Sequence, residues 1–224
     1  RGGAEALHPP QLGNLAARPF RGYESVNIDK KRAIERKAVD LCDDGDAIII
    51  NGGTTTFQMV HYMSARRLQV MTNSFAIAEH LVKHSKCNVS VPGGAIYRDQ
   101  SLILSPFDND AIRNFYARRI FIGAQGVGAL GIMESDALVI QSEQKLMRQA
   151  EELIVMIDSS KFRKRSSLIL CPLENVSTII TDEGVPDDAA RMVEDAGIKL
   201  IVAGASASAV ADVPPDKRGS TSVA

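Results

Sequence analysis

The chain has 224 residues, of which 45% are hydrophobic and 24% are charged, and its formal net charge is −1. This length and composition are typical of an α/β domain with a sizeable core. The near-neutral charge argues against a protein that binds DNA by itself, because contacts to phosphates supply most of that affinity and require a basic excess. The charge also gives no reason to expect a membrane surface as a partner.

The three cysteines, Cys42, Cys87 and Cys171, are far apart, and none belongs to a CxxC pair. A sparse, odd number of cysteines predicts neither a disulfide framework nor a zinc site. No apolar run approaches the ~20 residues that a membrane span needs, and no signal peptide is recognisable. We therefore expect free thiols, no cofactor and a cytoplasmic protein.

The two ends of the chain differ in composition from its middle. Residues 1–28 are rich in Pro, Gly and Arg, and they are predicted to be a linker. Since the chain begins at Arg1 rather than at a methionine, we expect it to continue a longer protein. Residues 203–224 form an Ala/Ser/Pro mixture that buries little surface, and they are predicted to be disordered. The ordered domain is expected to span 29–202.

Within that span, helical and strand-like patterns alternate. Asp29 is expected to cap a helix that runs to about Leu41, and the run Ala47–Ile50 is typical of a strand buried on both faces. The basic residues of the first helix are interpreted as a solvated face: Lys30, Lys31, Arg32, Arg36 and Lys37. Further helices are predicted over about 55–63, 77–82 and 136–150, with one more opened by Pro186. Further strands are predicted over 68–71, 88–91, 119–122, 153–157, 168–170, 178–180 and 199–202.

Strand–helix–strand units require right-handed crossovers, so the pattern predicts a doubly wound, mainly parallel sheet covered on both faces. Such sheets bind ligands beyond the carboxyl ends of their strands. The loops that follow strands are therefore the candidate binding residues.

The loop after the first strand has the composition of a phosphate site: Asn51, Gly52, Gly53, Thr54, Thr55 and Thr56. Its glycines allow the backbone to approach a ligand, the following helix start offers unpaired N–H groups, and the hydroxyls add donors. The loop lacks the lysine of a Walker-type loop and the GxGxxG spacing, so neither ATP nor a dinucleotide is expected. The alternative is a simple turn with a threonine cap.

Two further loops have weaker patterns. Thr72 and Asn73 end a strand and open a helix, which suits either a ligand contact or an ordinary helix cap. Gly93 and Gly94 follow the third strand, where they either make a turn or open space for a sugar.

Two more loops complete the set. Gly123, Gln125 and Gly126 follow a buried strand, and the Gln side chain both donates and accepts hydrogen bonds to hydroxyls. Lys161 follows another strand, where its ammonium is suited to a phosphate, although a lone surface lysine is the plainer interpretation. Because these loops share one edge of the predicted sheet, we expect them to face one crevice.

The motifs resemble those of the C-terminal effector domain of DeoR-type repressors. In order they read DGDAIIINGGTTT, VMTNS, VPGGAIYRDQSLILSP, FIGAQGVGALGIMESD, VMIDSSKF and TIITDEG. The resemblance spans about Asp29 to Val202, and it is specific because several motifs occur in order. One departure is Asn51-Gly52, where many members have Ser or Asp before GTTT.

This resemblance implies a fold similar to that of ribose-5-phosphate isomerase and glucosamine-6-phosphate deaminase. In those enzymes a similar Gly/Thr loop holds the substrate phosphate, which implies that role for Gly53 to Thr56, and a lysine contacts the same phosphate, which implies it for Lys161. The resemblance also implies a homo-oligomer that reaches operator DNA only through an N-terminal winged helix-turn-helix, which is expected to precede Arg1. The effector is expected to be a phosphorylated sugar or polyol, and no membrane partner is expected.

Two other functions remain open at this point. A sugar-phosphate isomerase or deaminase needs a positioned base, and the related enzymes place an acid where this chain has Gln125. Glu134, Asp136 and Glu143 keep that alternative open. The other possibility is an oligomerisation module that is indifferent to sugar phosphates. Lys145 and Gln100 are further candidates for effector selection.

Overall fold

The computed structural model describes residues 27–106 and 111–204. Residues 1–26 and 205–224, which hold most of the predicted linker and tail, lie outside the described residues. The first described helix begins at Ile28 and the last described strand ends at Ala203, while the division into linker, domain and tail stays a prediction.

The strands, in chain order, are β1 (Ala47–Ile50), β2 (Gln69–Thr72), β3 (Asn88–Ser90), β4 (Ala95–Tyr97), β5 (Leu102–Leu104), β6 (Ala117–Ile122), β7 (Gly126–Gly128), β8 (Gly131–Glu134), β9 (Ala150–Met156), β10 (Leu168–Cys171), β11 (Thr178–Asp182) and β12 (Lys199–Ala203). The α-helices are α1 (Ile28–Val39), α2 (Thr54–Gln58), α3 (Phe75–His84), α4 (Ala137–Met147) and α5 (Asp187–Asp195). Short 3₁₀ turns lie between them, among them Met59–Tyr62 and Ser159–Arg163.

The central sheet has seven strands in the order β12-β11-β9-β6-β1-β2-β3, and every neighbouring pair is parallel. From β1 the chain moves outward through β2 and β3, and from β6 it moves outward in the other direction. The order therefore reverses between β1 and β6, which makes that gap the switch point where doubly wound sheets bind ligands.

Both faces of the sheet are covered, and alternate residues of each buried strand point to opposite faces. Ile48 and Ile50 of β1 pack in the core beneath α1 and α3. Ile49 packs in the opposite core, with Leu146 of α4 and Val193 of α5. The predicted doubly wound α/β fold is confirmed by this arrangement.

Two small antiparallel sheets were not predicted, since their strands are three or four residues long. One is the hairpin β4–β5, whose connection places Ser101 at a positive φ of 55°. The other has the order β10-β8-β7. The predicted strand at 168–170 is present as β10, but it lies in this small sheet and not in the parallel one.

Helix starts agree with the sequence in part. Asp136 caps α4, and its Oδ1 accepts a hydrogen bond of 2.8 Å from the amide of Leu138. The predicted cap at Asp29 is wrong, because α1 begins at Ile28 after Asn27, which adopts a left-handed conformation. The predicted helix at 55–63 is the short α2 followed by a 3₁₀ turn. Within 27–106 and 111–204, no helix has the length and apolar character to cross a membrane.

Candidate functional site

A cavity of about 390 Å³ lies at the switch point of the sheet. The loops after β1 and β6 form part of its wall. The hairpin β4–β5, the first turn of α1, the end of β8, the helix α4 and the segment after β9 also contribute to it. Cavities of this size fall in the range of roughly 300–1,000 Å³ that is usual for small-molecule sites. The position agrees with the expectation that ligands bind beyond the carboxyl ends of the strands.

The loop after β1 supplies four residues to the cavity wall: Gly52, Gly53, Thr54 and Thr55. The other two predicted residues lie behind them and are buried. Thr56 Oγ1 donates a hydrogen bond of 2.7 Å to the carbonyl oxygen of Asn51, which closes the loop on itself.

Thr72 and Asn73, predicted as ligand contacts, support the loop and do not line the cavity. Asn73 Oδ1 accepts a hydrogen bond of 2.9 Å from the amide of Gly52, and its Nδ2 donates one of 3.2 Å to Ser142 Oγ. Thr72 Oγ1 accepts one of 3.0 Å from the amide of Ser74. Both residues are fully buried, and Asn73 holds the loop through Gly52 while Thr72 holds the start of the turn into α3 through Ser74.

From the loop after β6, Gly123 and Gln125 line the cavity. Gly126 does not line it, but it determines how closely the next segment packs. A Cβ at Gly126 would lie 2.5 Å from the carbonyl oxygen of Lys164, which is closer than real Cβ atoms approach. Glycine at this position therefore allows the segment that carries Lys161 to pack against β7.

Lys161 also lines the cavity, in the 3₁₀ turn Ser159–Arg163. Burial, together with the positive charges of Lys164 and Lys31, lowers the pKa of Lys161 to about 8, while Asp158 and Glu134 act in the opposite direction. Its ammonium makes neither a hydrogen bond nor an ion pair with any residue of the described ranges. A partly desolvated ammonium without a protein partner favours an anionic ligand.

Three further predicted site residues, Gly93, Gly94 and Lys145, do not line the cavity either. Gly93 is exposed, and Gly94 packs its backbone against the hairpin, where a Cβ would lie 2.2 Å from the carbonyl oxygen of Leu104. Lys145 Nζ donates a hydrogen bond of 3.0 Å to the carbonyl oxygen of Ser105. The hairpin nevertheless reaches the cavity through other residues, among them Gln100.

The first helix contributes residues that the sequence interpretation missed. Lys31 was interpreted as part of a solvated face, but it is 4% exposed, lines the cavity and donates a hydrogen bond of 3.2 Å to Thr54 Oγ1. Lys31 precedes Ile34 by three residues, a spacing that puts both on the same side of a helix, so a signal was present. Lys30 is not free in solvent either, because its Nζ lies 2.9 Å from Asp182 Oδ2 and 2.9 Å from Ser159 Oγ.

The segment after Lys161 adds more positive charge than was predicted. Lys164 and Arg165 line the cavity together with Lys31 and Lys161. Asn27 joins them at the start of α1, where its Nδ2 donates a hydrogen bond of 3.2 Å to Asp158 Oδ1. One part of the cavity wall is therefore cationic and is held between α1 and the loop after β9.

Two acidic residues, Glu134 and Glu143, also line the cavity. Glu134 accepts a hydrogen bond of 2.7 Å from the amide of Ser135. Glu143 is 3% exposed, and its Oε1 accepts a hydrogen bond from Asn51 Nδ2. Burial raises the pKa of Glu143 well above its usual range, the nearby negative charge of Glu134 acts in the same direction, and the hydrogen bond from Asn51 acts against both.

The cysteines and the other metal-ligating residues form no centre in the described part of the chain. Cys42, Cys87 and Cys171 are all free thiols, and burial raises the pKa of Cys42 to about 12 and that of Cys171 to about 11. No group of three His, Cys, Asp or Glu side chains among the described residues is arranged to hold a metal ion.

A parallel sheet with a polar cavity at its switch point defines a domain that binds small molecules. Residues 26–183 match the family described as the DeoR C-terminal sensor domain, and this match covers most of the chain. The protein belongs to this family. The predicted relationship to the DeoR effector domains is thus confirmed, and the family is one of sensors of transcriptional regulators and not of enzymes.

Similar proteins include the HTH-type transcriptional regulator UlaR of Escherichia coli (strain K12 / DH10B) and that of Shigella dysenteriae serotype 1. Each is 27% identical over 184 residues, which covers 82% of this chain and 72% of the regulator.

Similar solved structures include ribose-5-phosphate isomerase A from Methanocaldococcus jannaschii, with a TM-score of 0.45 and 17% identity over 61% of this chain. Another is eIF2B beta from Chaetomium thermophilum, with a TM-score of 0.46 and 16% identity over 71% of this chain. The present chain spans 55% and 51% of their lengths, respectively. Neither likeness bears on function.

Proposed function

We propose that this sensor domain binds a phosphorylated sugar or polyol in the cavity between β1 and β6, and that binding modulates the DNA binding of the regulator to which it belongs. One observation carries this proposal. The ammonium groups of Lys31 and Lys161 line the same cavity as the Gly/Thr loop, which is the loop from Gly52 to Thr55.

The phosphate is assigned to the loop from Gly52 to Thr55. The first amides of a helix have no partner within that helix, and here they begin beside the cavity. Thr54 adds a hydroxyl that already accepts a hydrogen bond from Lys31, and Lys161 adds a second ammonium. Backbone donors and ammonium groups together are the usual partners of a phosphate dianion.

The cationic wall supports the assignment of a phosphorylated ligand rather than a free sugar. The positive charges of Lys31 and Lys164 act on Lys161 and contribute to its lowered pKa. A dianion balances these charges, whereas a neutral sugar does not. The sugar hydroxyls then meet amide side chains, such as those of Gln125 and Gln100, which both donate and accept hydrogen bonds.

Control of transcription requires that the effector distinguish two states of the regulator. The shift in DNA affinity is limited by the difference in effector affinity between those states. We place the DNA contact in a helix-turn-helix segment of the regulator, as the names of its relatives suggest, and we expect a homo-oligomer that acts on operator DNA in the cytoplasm.

The proposal is tested by thermal unfolding of the domain in the presence of matched pairs of free and phosphorylated sugars. A ligand at a hundredfold excess over its dissociation constant adds ~2.7 kcal/mol of stability. We expect stabilisation by at least one phosphorylated sugar and none by its free counterpart. Lys161→Met should abolish the effect, while Lys86→Met, which changes an exposed lysine away from the cavity, should not. Equal stabilisation by the free and the phosphorylated member of each pair would rule out a phosphate-binding role for the loop from Gly52 to Thr55.

A further inference from the structure

Gly52, the first residue of the Gly/Thr loop, leaves room for a side chain of the hairpin β4–β5. Its backbone does not require a glycine, because the glycines with a positive φ among the described residues are Gly45, Gly131 and Gly197. A Cβ at Gly52 would instead overlap Cδ2 of Leu102. The space that a side chain at Gly52 would fill is therefore occupied by Leu102.

Leu102 is held in this place by the backbone on both sides of it. The amide of Ile103 donates a hydrogen bond of 2.7 Å to the carbonyl oxygen of Asn73, and the amide of Phe75 donates one of 3.0 Å to the carbonyl oxygen of Ser101. Leu102 itself is 2% exposed. The hairpin is thus fixed to the segment that follows β2, and Leu102 is fixed with it.

The same segment holds Gly52 by a hydrogen bond. Asn73 Oδ1 accepts a hydrogen bond of 2.9 Å from the amide of Gly52, and Leu102 packs against the Cα of the same residue. Both Gly52 and Leu102 line the cavity. A loop that is held in its binding conformation before the ligand arrives loses less conformational freedom on binding, and its affinity is higher for that reason.

We propose that Leu102 is a positioning residue for the phosphate, which acts by packing against Gly52 and keeping the Gly/Thr loop in its binding conformation. The hairpin β4–β5 is then a working part of the phosphate site. This inference rests on the proposed function of the loop. It goes beyond that function by making the phosphate affinity depend on an apolar side chain of another element.

The test is a calorimetric titration of the domain and its variants with inorganic phosphate. Leu102→Ala removes the contact with Gly52 and should weaken binding by about fivefold, since the loop must then be ordered by the ligand. Gly52→Ala places a methyl group against Leu102 and should weaken binding at least as much, because the loop or the hairpin has to move.

The double variant Gly52→Ala/Leu102→Ala distinguishes packing against Gly52 from a direct contact of Leu102 with the ligand. Without the Leu102 side chain the new methyl group has room, and the next nearest atom, Ser74 Cβ, lies 3.2 Å from it, which a small shift accommodates. We expect the double variant to bind phosphate more tightly than Gly52→Ala alone. Independent effects would instead multiply and make it the weakest binder of the set.

Two further variants complete the design. Leu104→Ala makes the same change on the same side of β5, at a residue that does not line the cavity, and it should leave the phosphate affinity unchanged. Valine has no Cδ atom, so Leu102→Val removes the atom that meets Gly52 with a smaller loss of volume. It replaces Leu102→Ala in both comparisons if that variant does not fold.

The failures of the two proposals are distinguishable. If the unmodified domain does not bind inorganic phosphate, both are overturned. If it binds, three results overturn the role of Leu102 and leave the phosphate-binding role of the loop intact. They are an unchanged affinity of Leu102→Ala, an equal loss in Leu104→Ala, and a double variant that binds no better than Gly52→Ala.

Discussion

The ammonium of Lys31 donates a hydrogen bond of 3.2 Å to Thr54 Oγ1, and this contact joins helix α1 to the first turn of α2 at the cavity wall. Asn27, one turn earlier in the chain, contacts Asp158 at the same wall. The start of α1 is thus in direct contact with the two loops to which we assign the phosphate. A ligand bound by these two loops would therefore lie beside the first turn of α1.

Replacing Lys31 should weaken phosphate binding without a large loss of stability. Lys31→Met removes a charged donor, and hydrogen bonds to charged groups contribute about 1.5–3 kcal/mol. We therefore expect the dissociation constant for inorganic phosphate, measured by calorimetry, to be at least tenfold higher in this variant. Lys37→Met changes an exposed lysine of the same helix and is the matched control. Equal affinities of the two variants would show that Lys31 does not contact the ligand.

Phosphate binding should depend on the protonation of Lys161. Because the pKa of this ammonium is lowered to about 8, a growing fraction of Lys161 loses its proton as the pH rises through 8 in the absence of a ligand. A bound dianion favours the charged form, so the affinity for inorganic phosphate should fall by up to about tenfold per pH unit above pH 8.

Lys161→Arg provides the control for this pH dependence, since arginine stays charged throughout the accessible range. In that variant the affinity should remain level between pH 8 and pH 9.5. A decline as steep as that of the unmodified domain would show that another group is responsible.

A buried carboxyl in α1 should make the domain less stable as the pH rises. Glu35 is fully buried, neither carboxyl oxygen has a hydrogen-bond partner among the described residues, and burial raises its pKa to about 9, against the opposing charges of Lys31 and Arg32. The unfolded chain releases this proton near pH 4.5, whereas the folded domain keeps it until about pH 9. The contribution of Glu35 to stability is therefore fully present below pH 4.5 and declines through this window.

Glu35→Gln removes the dependence, because the amide does not titrate. The free energy of unfolding of this variant, relative to the unmodified domain, should rise by up to about 1.4 kcal/mol per pH unit between pH 5 and pH 8. Urea unfolding at these two pH values measures the difference. A difference that stays constant with pH would contradict a protonated Glu35 in the folded state.

Gly126 should be intolerant of a side chain for a reason that is local to the backbone. A Cβ at this position meets the carbonyl oxygen of Lys164 at 2.5 Å, and backbone atoms give way less easily than side chains. We expect Gly126→Ala to cost about 1–3 kcal/mol of stability and to weaken phosphate binding by displacing the turn that carries Lys161. At Gly93 a Cβ has nothing within 4 Å, so Gly93→Ala should change neither quantity.

The strands of the central sheet could be predicted from the sequence because several of them contain a short apolar run. Ala47–Ile50 is the simplest case, since every residue of the run is apolar and the strand is buried on both faces. The rule about carboxyl ends then placed Gly53 and Gln125 on the same cavity without any knowledge of distances. Both predictions depend on general properties of parallel sheets, which local sequence is enough to reveal.

Other features depend on contacts between distant segments, and the sequence does not show them. The hairpin β4–β5 is fixed partly by the amide of Ile103, which donates a hydrogen bond of 2.7 Å to the carbonyl oxygen of Asn73. Lys31 was assigned to solvent because charged residues are seldom buried, and its burial follows from its place between the sheet and the cavity. Gly93 and Gly94 were predicted as binding residues because they follow a strand. The chain then enters the hairpin β4–β5, and neither glycine lines the cavity.

The central claim is that the Gly/Thr loop binds a phosphate, and the amide resonances of that loop report on this binding most directly. We would titrate the isotopically labelled domain with inorganic phosphate and follow its ¹H–¹⁵N correlation spectrum. The account predicts saturable shifts at Gly53, Thr54 and Thr55, and their loss in the Lys161→Met variant. Shifts confined to residues outside the cavity, or shifts at the loop that persist unchanged in Lys161→Met, would contradict it.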